Sequence, residues 1–222
     1  MHIMRLLIIK EIGDFKMKIF KHLIGCDACG CGSLIGSVVA SAVWWDKNYK
    51  IKGLNDSKKL SFKQREEIFK RIENLKITFA IGQASVVEIE ELNIYNAERL
   101  AMKRAIDKVI EKKGIPDCVL IDGKGHIEKL QAPQKWIVKG DAKISAIMAA
   151  SVVAKVLRDR YVKSLVDKNP EYEVYGWETN IGYGTKAHLE AIRKYGITPY
   201  HRKTFEPIKS WLKQGVIKDV GR

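Results

Sequence analysis

No apolar run in this chain approaches the length of a membrane span; "LLII", which follows Arg5, is broken at once by Lys10 and Glu11. Acids are scarce relative to bases, 26 Asp and Glu against 40 Lys and Arg. The resulting formal charge of +14 is spread along the chain rather than confined to a tail. Only four cysteines occur, at 26, 29, 31 and 118, and no signal-like leader precedes them, which argues against a disulfide framework. The C-x-x-C-x-C spacing of the first three raises a metal or redox site. No second Cys pair or His pair stands at the usual spacing, however, so a closed tetrahedral zinc site lacks ligands. Repeats and low-complexity linkers are also missing. These absences exclude membrane-spanning, disulfide-stapled and solenoid classes. They leave a cytoplasmic protein whose excess charge favours a polyanionic partner, nucleic acid ahead of an acidic membrane surface.

What is present is a core-forming composition over 222 residues, enough for one full domain. The internal Met17, followed by "KIFKHLIG", marks residues 1–16 as an expected extension and residues 17–222 as the domain proper. "HLIGCD", "SVVASAVWW" and "KITFAIGQASV" read as strands. Between them "SFKQREEIFKRI" reads as a helix opened by a capping box of Ser61 and Gln64. Residues 86–113 read as one long helical stretch, with Ile94, Ala97, Ala101, Ala105 and Val109 near one face. "DCVLID" is a short strand ending in Asp122 and the turn "GKG", and "KWIVK" is another. "ISAIMAASVVAKVLRDR" is apolar nearly all round, hence a buried helix. "KAHLEAIRKYG" is amphipathic, with Thr185 placed to cap it and Gly196 to stop it. The mixture predicts an α/β fold, a mixed central sheet flanked by helices, followed from about residue 161 by a basic helical C-terminal part.

The stretch "GCDACGCGSLIG" sets one acid, Asp27, among glycines and cysteines. It has two counterparts, Asp122 in "LIDGKG" and Asp141 in "VKGDAK", each closing an apolar segment beside glycine. Strand ends in an α/β sheet converge on a crevice, so three aspartates there can share a divalent cation. Taken singly each also reads blandly: Asp122 begins a turn, Asp141 caps a helix and Asp27 caps a loop. Downstream, residues 183–209 interleave Lys186, Arg193, Lys194, Arg202 and Lys203 with Tyr195, Tyr200 and Phe205, the footprint of a surface that tracks a nucleic-acid strand. His188 and His201 stand isolated and read as structural residues or phosphate contacts.

In order and spacing, the blocks "GCDACGCGSLIGSVVASAV", "LNDSKKLS", "LNIYNAERLAMKRAI", "LIDGKG", "KGDAKISAIMAASVVAKVLRDR" and "GYGTKAHLEAIRKYGITPYHRKTFEP" resemble bacterial ribonuclease HII over residues 21–209. The resemblance implies a ribonuclease H-like fold and a metal-dependent endonuclease that hydrolyses the RNA strand of RNA–DNA hybrids, including ribonucleotides embedded in duplex DNA. It also implies a carboxylate site for Mg²⁺ or Mn²⁺ and a monomer without a membrane partner. The first block of the family usually reads Asp-Glu-Ala-Gly-Arg-Gly, whereas this chain reads Asp27-Ala28-Cys29-Gly30-Cys31-Gly32. One carboxylate is therefore replaced by Ala28, and the loop arginine by Cys31. By this likeness Asp27, Asp122 and Asp141 are the catalytic and metal-binding residues. Gly30, Cys31, Gly32, Lys58, Lys59, Lys124, Lys143, Tyr183 and Lys186 are the substrate-binding set, with the glycine loop and Tyr183 reading the ribose 2′-hydroxyl. Glu178 is a conceivable substitute for the missing acid. The alternative that the loss implies is a hybrid-binding module that no longer cleaves.

Overall fold

The computed structural model describes residues 20–219; the expected extension at 1–16 lies outside the described residues. A five-stranded sheet forms the centre, in the order β3-β2-β1-β4-β5. It comprises β1 (Leu23–Cys29), β2 (Val38–Trp45), β3 (Phe79–Ala84), β4 (Cys118–Asp122) and β5 (Gln134–Ile137). β1 pairs antiparallel with β2 and parallel with β4, so the sheet is mixed, as predicted. Every residue of β2 is buried, which is what a run as apolar as "VVASAVWW" requires of a central strand covered on both faces.

Alternate strand residues feed two cores. Ile24, Cys26, Ala40 and Ala42 pack on one face with Ala97, Ala101, Ala105 and Val109 of α3 (Ile94–Lys113). Leu23, Val43 and Trp45 pack on the other with Phe69 of α1 (Phe62–Asn74) and Ala146, Ala150 and Val153 of α4 (Ser145–Lys168). A buried aromatic such as Phe69 typically contributes about 3–5 kcal/mol against truncation to alanine. Gly25 admits α4 against β1, since a Cβ there would meet the Ala146 backbone.

The capping box expected at Ser61 and Gln64 is present at the start of α1. The single helix expected over 86–113 is instead two, α2 (Val86–Leu92) and α3, broken at Asn93. Asn93 has φ 67°, a conformation that asparagine tolerates better than most residues, and its side chain caps α3 by accepting from the Asn96 amide. Periodicity continues across the break, which hides it from a pattern reading.

Beyond the sheet lie α5 (Trp177–Asn180), α6 (Lys186–Tyr195) and α7 (Ile208–Lys213), the C-terminal helical part. Their core centres on Trp177, Tyr175 and Ile192. It also draws in Val162, Leu165 and Val166 from the second half of α4, and Leu34 and Ile35 from the loop after β1. That loop and the 181–185 connector touch directly: the Leu34 amide donates to the Gly182 carbonyl at 2.9 Å. Among the described residues no helix is long and apolar enough to cross a membrane.

Candidate active site

Three aspartates arrive at one end of the sheet from three different segments. Asp27 comes from β1, Asp122 ends β4, and Asp141 lies in a short turn after β5, Gly140–Ala142. Parallel pairing of β1 with β4 brings the first two side by side. The turn brings the third: the Gly140 and Asp141 amides donate to Asp122 Oδ1 at 2.6 and 3.3 Å. Gly140 packs closely there, since a Cβ would lie 2.6 Å from Ile147 Cδ1 and displace that methyl. Carboxylate oxygens of the three residues lie within 4.8 Å of one another, and Asp27 and Asp141 are buried. Each bland reading of a lone aspartate therefore gives way to a common cluster.

Electrostatics make this cluster expensive without a cation. Burial, then the Asp122 charge, pushes Asp27 up to about 7, although hydrogen bonds from Ser151 and the Ala28 amide pull the other way. Asp122 is raised by burial and by the Asp141 charge. The cationic hydrogen-bond partner is Lys58, whose Nζ donates to Asp141 Oδ2 at 2.9 Å from a side chain that is 78% exposed. Asp56 aims this lysine, because its side chain caps the Ser57–Lys59 turn by accepting from the Lys58 amide. Three converging carboxylates offer only hard oxygen donors. That set suits a cation such as Mg²⁺ or Mn²⁺ and not a soft metal.

Around the triad opens a cleft of about 480 Å³, which Gly30, Cys31, Gly32, Lys58, Lys124 and Tyr183 of the expected substrate set line. Lys59, Lys143 and Lys186 are exposed and stand outside that lining. The lining also includes Arg65, Glu98, Ser151 and Lys155, which were not among the expected site residues. Ser151 and Lys155 interrupt the apolar first half of α4 four residues apart, with Asp159 one turn further on, a polar stripe that marks them. Asp159 is buried and holds both cations in place, Lys155 Nζ at 2.8 Å and Arg65 Nη2 at 3.7 Å. Arg65 carries no comparable signal, because it sits in a helix that is polar on its outer face.

The glycine loop divides into two roles. Gly30 has φ 84° and lies over Arg158, whose side chain a Cβ would strike, so its lack of a side chain is a packing requirement. Gly32 has no positive φ and only Tyr183 Cε1 near its missing Cβ, at 4.0 Å, so there the space faces the cleft. Two fully buried arginines brace the loop by donating to its carbonyls. Arg202 Nη1 reaches the Cys31 carbonyl and Arg158 Nη2 the Ile35 carbonyl.

The cysteines form no site of their own. Burial holds the Cys29 thiol at about 12 and drives Cys26 and Cys31 well above the usual thiol range, the last also through the Glu98 charge beside it. They are neutral packing residues, and the Cys31 thiol donates to Glu98 Oε1 at 3.3 Å. Glu178 lines a neighbouring groove with Phe62, Lys163 and Asn180, and it falls outside both the triad and its cleft. His188 and His201, read as isolated, are buried against one another behind Tyr183.

The family model for ribonuclease HII matches residues 24–208. The ribonuclease HII of Pelagibacter ubique (strain HTCC1062) is 50% identical over 192 residues, 86% of this chain and 100% of that protein. That of Geobacillus sp. (strain WCH70) is 42% identical over 208 residues, 92% of this chain and 72% of the relative. Among solved structures, the ribonuclease H2 from Pyrococcus horikoshii OT3 superposes with a TM-score of 0.70 at 24% identity, covering 87% of this chain and 98% of that one. Bst-RNase HIII in complex with Mn²⁺ gives 0.65 at 17% identity, covering 87% and 70%. These last two likenesses concern the fold.

Proposed function

The chain belongs to the ribonuclease HII family, metal-dependent endonucleases that cut the RNA strand of RNA–DNA hybrids, and we propose that it performs this chemistry with three aspartates in place of four acids. The observation that carries the reading is the convergence of Asp27, Asp122 and Asp141 within 4.8 Å. Buried like charges with one exposed lysine as counterion are poised for a divalent cation. Asp27, buried and facing the charges of both other aspartates, takes the central position, with Asp122 and Asp141 on either side. Mg²⁺ or Mn²⁺ suits the all-oxygen set, and the Mn²⁺ complex of Bst-RNase HIII on the same fold supports the second. When bound, such a cation neutralises charge at the scissile phosphate and makes a coordinated water more acidic.

The chain's own residues do the rest. Lys58, released from Asp141, places its ammonium at the mouth of the cleft for a phosphate, and Lys124, Lys155 and Arg65 line the path beside it. Lys59, Lys143 and Lys186, exposed outside the cleft, serve flanking phosphates. Gly32 leaves room for a ribose between the loop and the 40%-exposed ring of Tyr183, whose other neighbours are the cations of Lys155 and Arg158 at 5.8 and 5.9 Å. Backbone groups of Gly30, Cys31 and Gly32 read the 2′-hydroxyl. The reading extends to a cytoplasmic monomer acting on RNA–DNA hybrid or ribonucleotide-containing duplex. Residues 17–222 act as one unit, supported by α4, which packs in both the sheet core and the C-terminal core.

The deciding experiment is cleavage of a DNA duplex carrying one ribonucleotide, with Mg²⁺ and with Mn²⁺, by this protein and by its Ala28→Glu variant. Cutting by the parent at that ribonucleotide is the expected result. Cutting by the variant alone would overturn a working three-aspartate site.

A further inference from the structure

Behind Tyr183 runs a line of buried hydrogen bonds that the cleavage chemistry does not use. Trp177 Nε1 donates to His188 Nε2 at 3.0 Å, and His188 Nδ1 faces the Tyr183 carbonyl at 2.9 Å. The Thr198 amide donates to His201 Nδ1 at 2.9 Å, and His201 Nε2 faces His188 Nε2 at 3.3 Å. Both rings are fully buried. The fixed partners set the hydrogens: an indole and an amide can only donate, and a carbonyl can only accept. His201 therefore carries its hydrogen on Nε2 and gives it to His188, and His188 carries its own on Nδ1 and gives it to Tyr183. Every ring nitrogen thus has a partner with both imidazoles neutral, His188 Nε2 being shared between the Trp177 and His201 donors at 3.0 and 3.3 Å.

We infer that this two-histidine line is a positioning device: it fixes the backbone at Tyr183 and so sets the distance of the tyrosine ring from Gly32, which governs preference for an isolated ribonucleotide. The inference rests on the reading that Tyr183 meets the ribose. Three observations support it. The ring is 40% exposed and its cation neighbours, Lys155 and Arg158, stand 5.8 and 5.9 Å from its centroid, so its place depends on its backbone. That backbone lies in an irregular connector, with Ile181 and Gly182 both at positive φ, held by Tyr183 N to the Asn180 carbonyl and by the Thr185 amide and His188 on the Tyr183 carbonyl. Finally, His201 bridges in sheet fashion to Ile35, so the line joins the two walls of the ribose site, loop 30–36 and connector 181–185.

The test compares two near-isosteric variants. In His188→Asn the side-chain amide occupies the position of Nδ1 and can still donate to the Tyr183 carbonyl. In His188→Gln the terminal group occupies the position of Nε2, which preserves an acceptor for Trp177 and abandons the carbonyl. Two quantities are read: the ratio of kcat/KM for a single embedded ribonucleotide to that for a uniform hybrid, and amide hydrogen exchange over residues 181–185. His188→Gln should lower the ratio about fivefold, the effect of one net hydrogen bond, and speed exchange in the connector. His188→Asn should stay within about twofold of the parent on both, with the two variants melting alike. Equal losses in the two variants, or unchanged exchange in His188→Gln, would overturn the anchoring role. Tyr183→Ala, run in parallel, separates the premises. If its ratio equals that of the parent, the ribose contact fails, and exchange alone decides whether the histidines anchor the connector.

Discussion

Two buried polar regions of this molecule lie on either side of Tyr183, and they obey opposite rules. At the end of the sheet, Asp27, Asp122 and Asp141 present like charges to one another, the carboxyls of Asp27 and Asp122 are pushed up in pKa, and the cation bonded to Asp141 is an exposed lysine. In the C-terminal core, each ring nitrogen of His188 and His201 has a partner among Trp177, Thr198, Tyr183 and the other ring, with both rings neutral and burial pushing their pKa values down. A polar group buried with its needs met belongs to the scaffold; a set buried with its charges unmet is waiting for a ligand. The contrast between partnered neutral rings and converging like charges sets the aspartate cluster apart from the histidine line.

The largest effect should come from relieving the unmet charge. Replacing Asp27 with Asn should lower cleavage at least about a hundredfold, beyond what outer-shell changes at metal sites usually cost. The same change should raise the melting temperature of the metal-free protein, because one of three repelling carboxylates is gone. Rates measured in Mg²⁺ and Mn²⁺, together with melts in chelator, check both halves. A variant that cuts normally, or melts lower than the parent, would break the contrast.

Acid should strike the satisfied region. His201 is depressed from 6.5 to about 3 by burial and by its neighbour His188. Its folded pKa lies below its unfolded value, so the unfolded chain binds the extra proton first. The stability it gives is fully present above pH 6.5 and declines as pH falls toward 3. From pH 7 to pH 5 the loss from this residue amounts to about 2 kcal/mol. His201→Asn, which keeps an acceptor for the Thr198 amide, removes that proton. Carboxylate titration is common to both proteins, so the gap in unfolding free energy between parent and variant should narrow over this range. A gap independent of pH would mean that the buried pair is not neutral.

How much of this was legible in the sequence follows the same division. Strands, the α1 capping box and the buried α4 came from period and local chemistry, which are encoded residue by residue. The aspartates were legible because each closes an apolar strand-like run beside glycine. Asn93 was not, since the apolar period of the helix runs straight across it and only its backbone angle marks the break. Nor was the His188–His201 pair: thirteen residues apart, each looks solitary until α6 and the following turn fold onto Trp177. Lys155 and Ser151 were legible in principle, as polar residues one turn apart in an apolar helix. Lys59, Lys143 and Lys186 show the converse, since a basic residue beside a motif need not face the cleft.

A smaller effect distinguishes scaffold from site within a single loop. Gly30→Ala places a methyl group against Arg158 at a positive φ and should cost about 1–3 kcal/mol of stability, several degrees in melting temperature. Gly32→Ala meets open space and should melt like the parent, yet its methyl intrudes between the loop and Tyr183 and should raise KM for the single-ribonucleotide substrate several-fold, as about one lost hydrogen bond does. Thermal melts and steady-state kinetics on the two variants decide the matter. Equal melting temperatures would dissolve the division of labour.

The smallest effect concerns the acid that position 28 lacks. Successive residues of β1 face opposite sides of the sheet: Asp27 meets Ser151 of α4, whereas Ala28 packs with the core beneath α3. Glu98 projects from α3 into the cleft on that same side, and the Cys31 thiol, kept neutral by burial, donates to its Oε1 while Arg99 Nη1 stands 4.0 Å from Oε2. Glu98 is thus a carboxylate of the cleft wall on the side of the sheet toward which residue 28 points. Glu98→Gln should therefore cost about fivefold in kcat/KM, one net hydrogen bond's worth, in the Ala28 protein. In the Ala28→Glu background the same change should cost nothing, a non-additivity that a double-mutant cycle measures. Equal effects in the two backgrounds would show that Glu98 serves the loop rather than the metal. No effect in either would leave Asp27, Asp122 and Asp141 as the complete acid set.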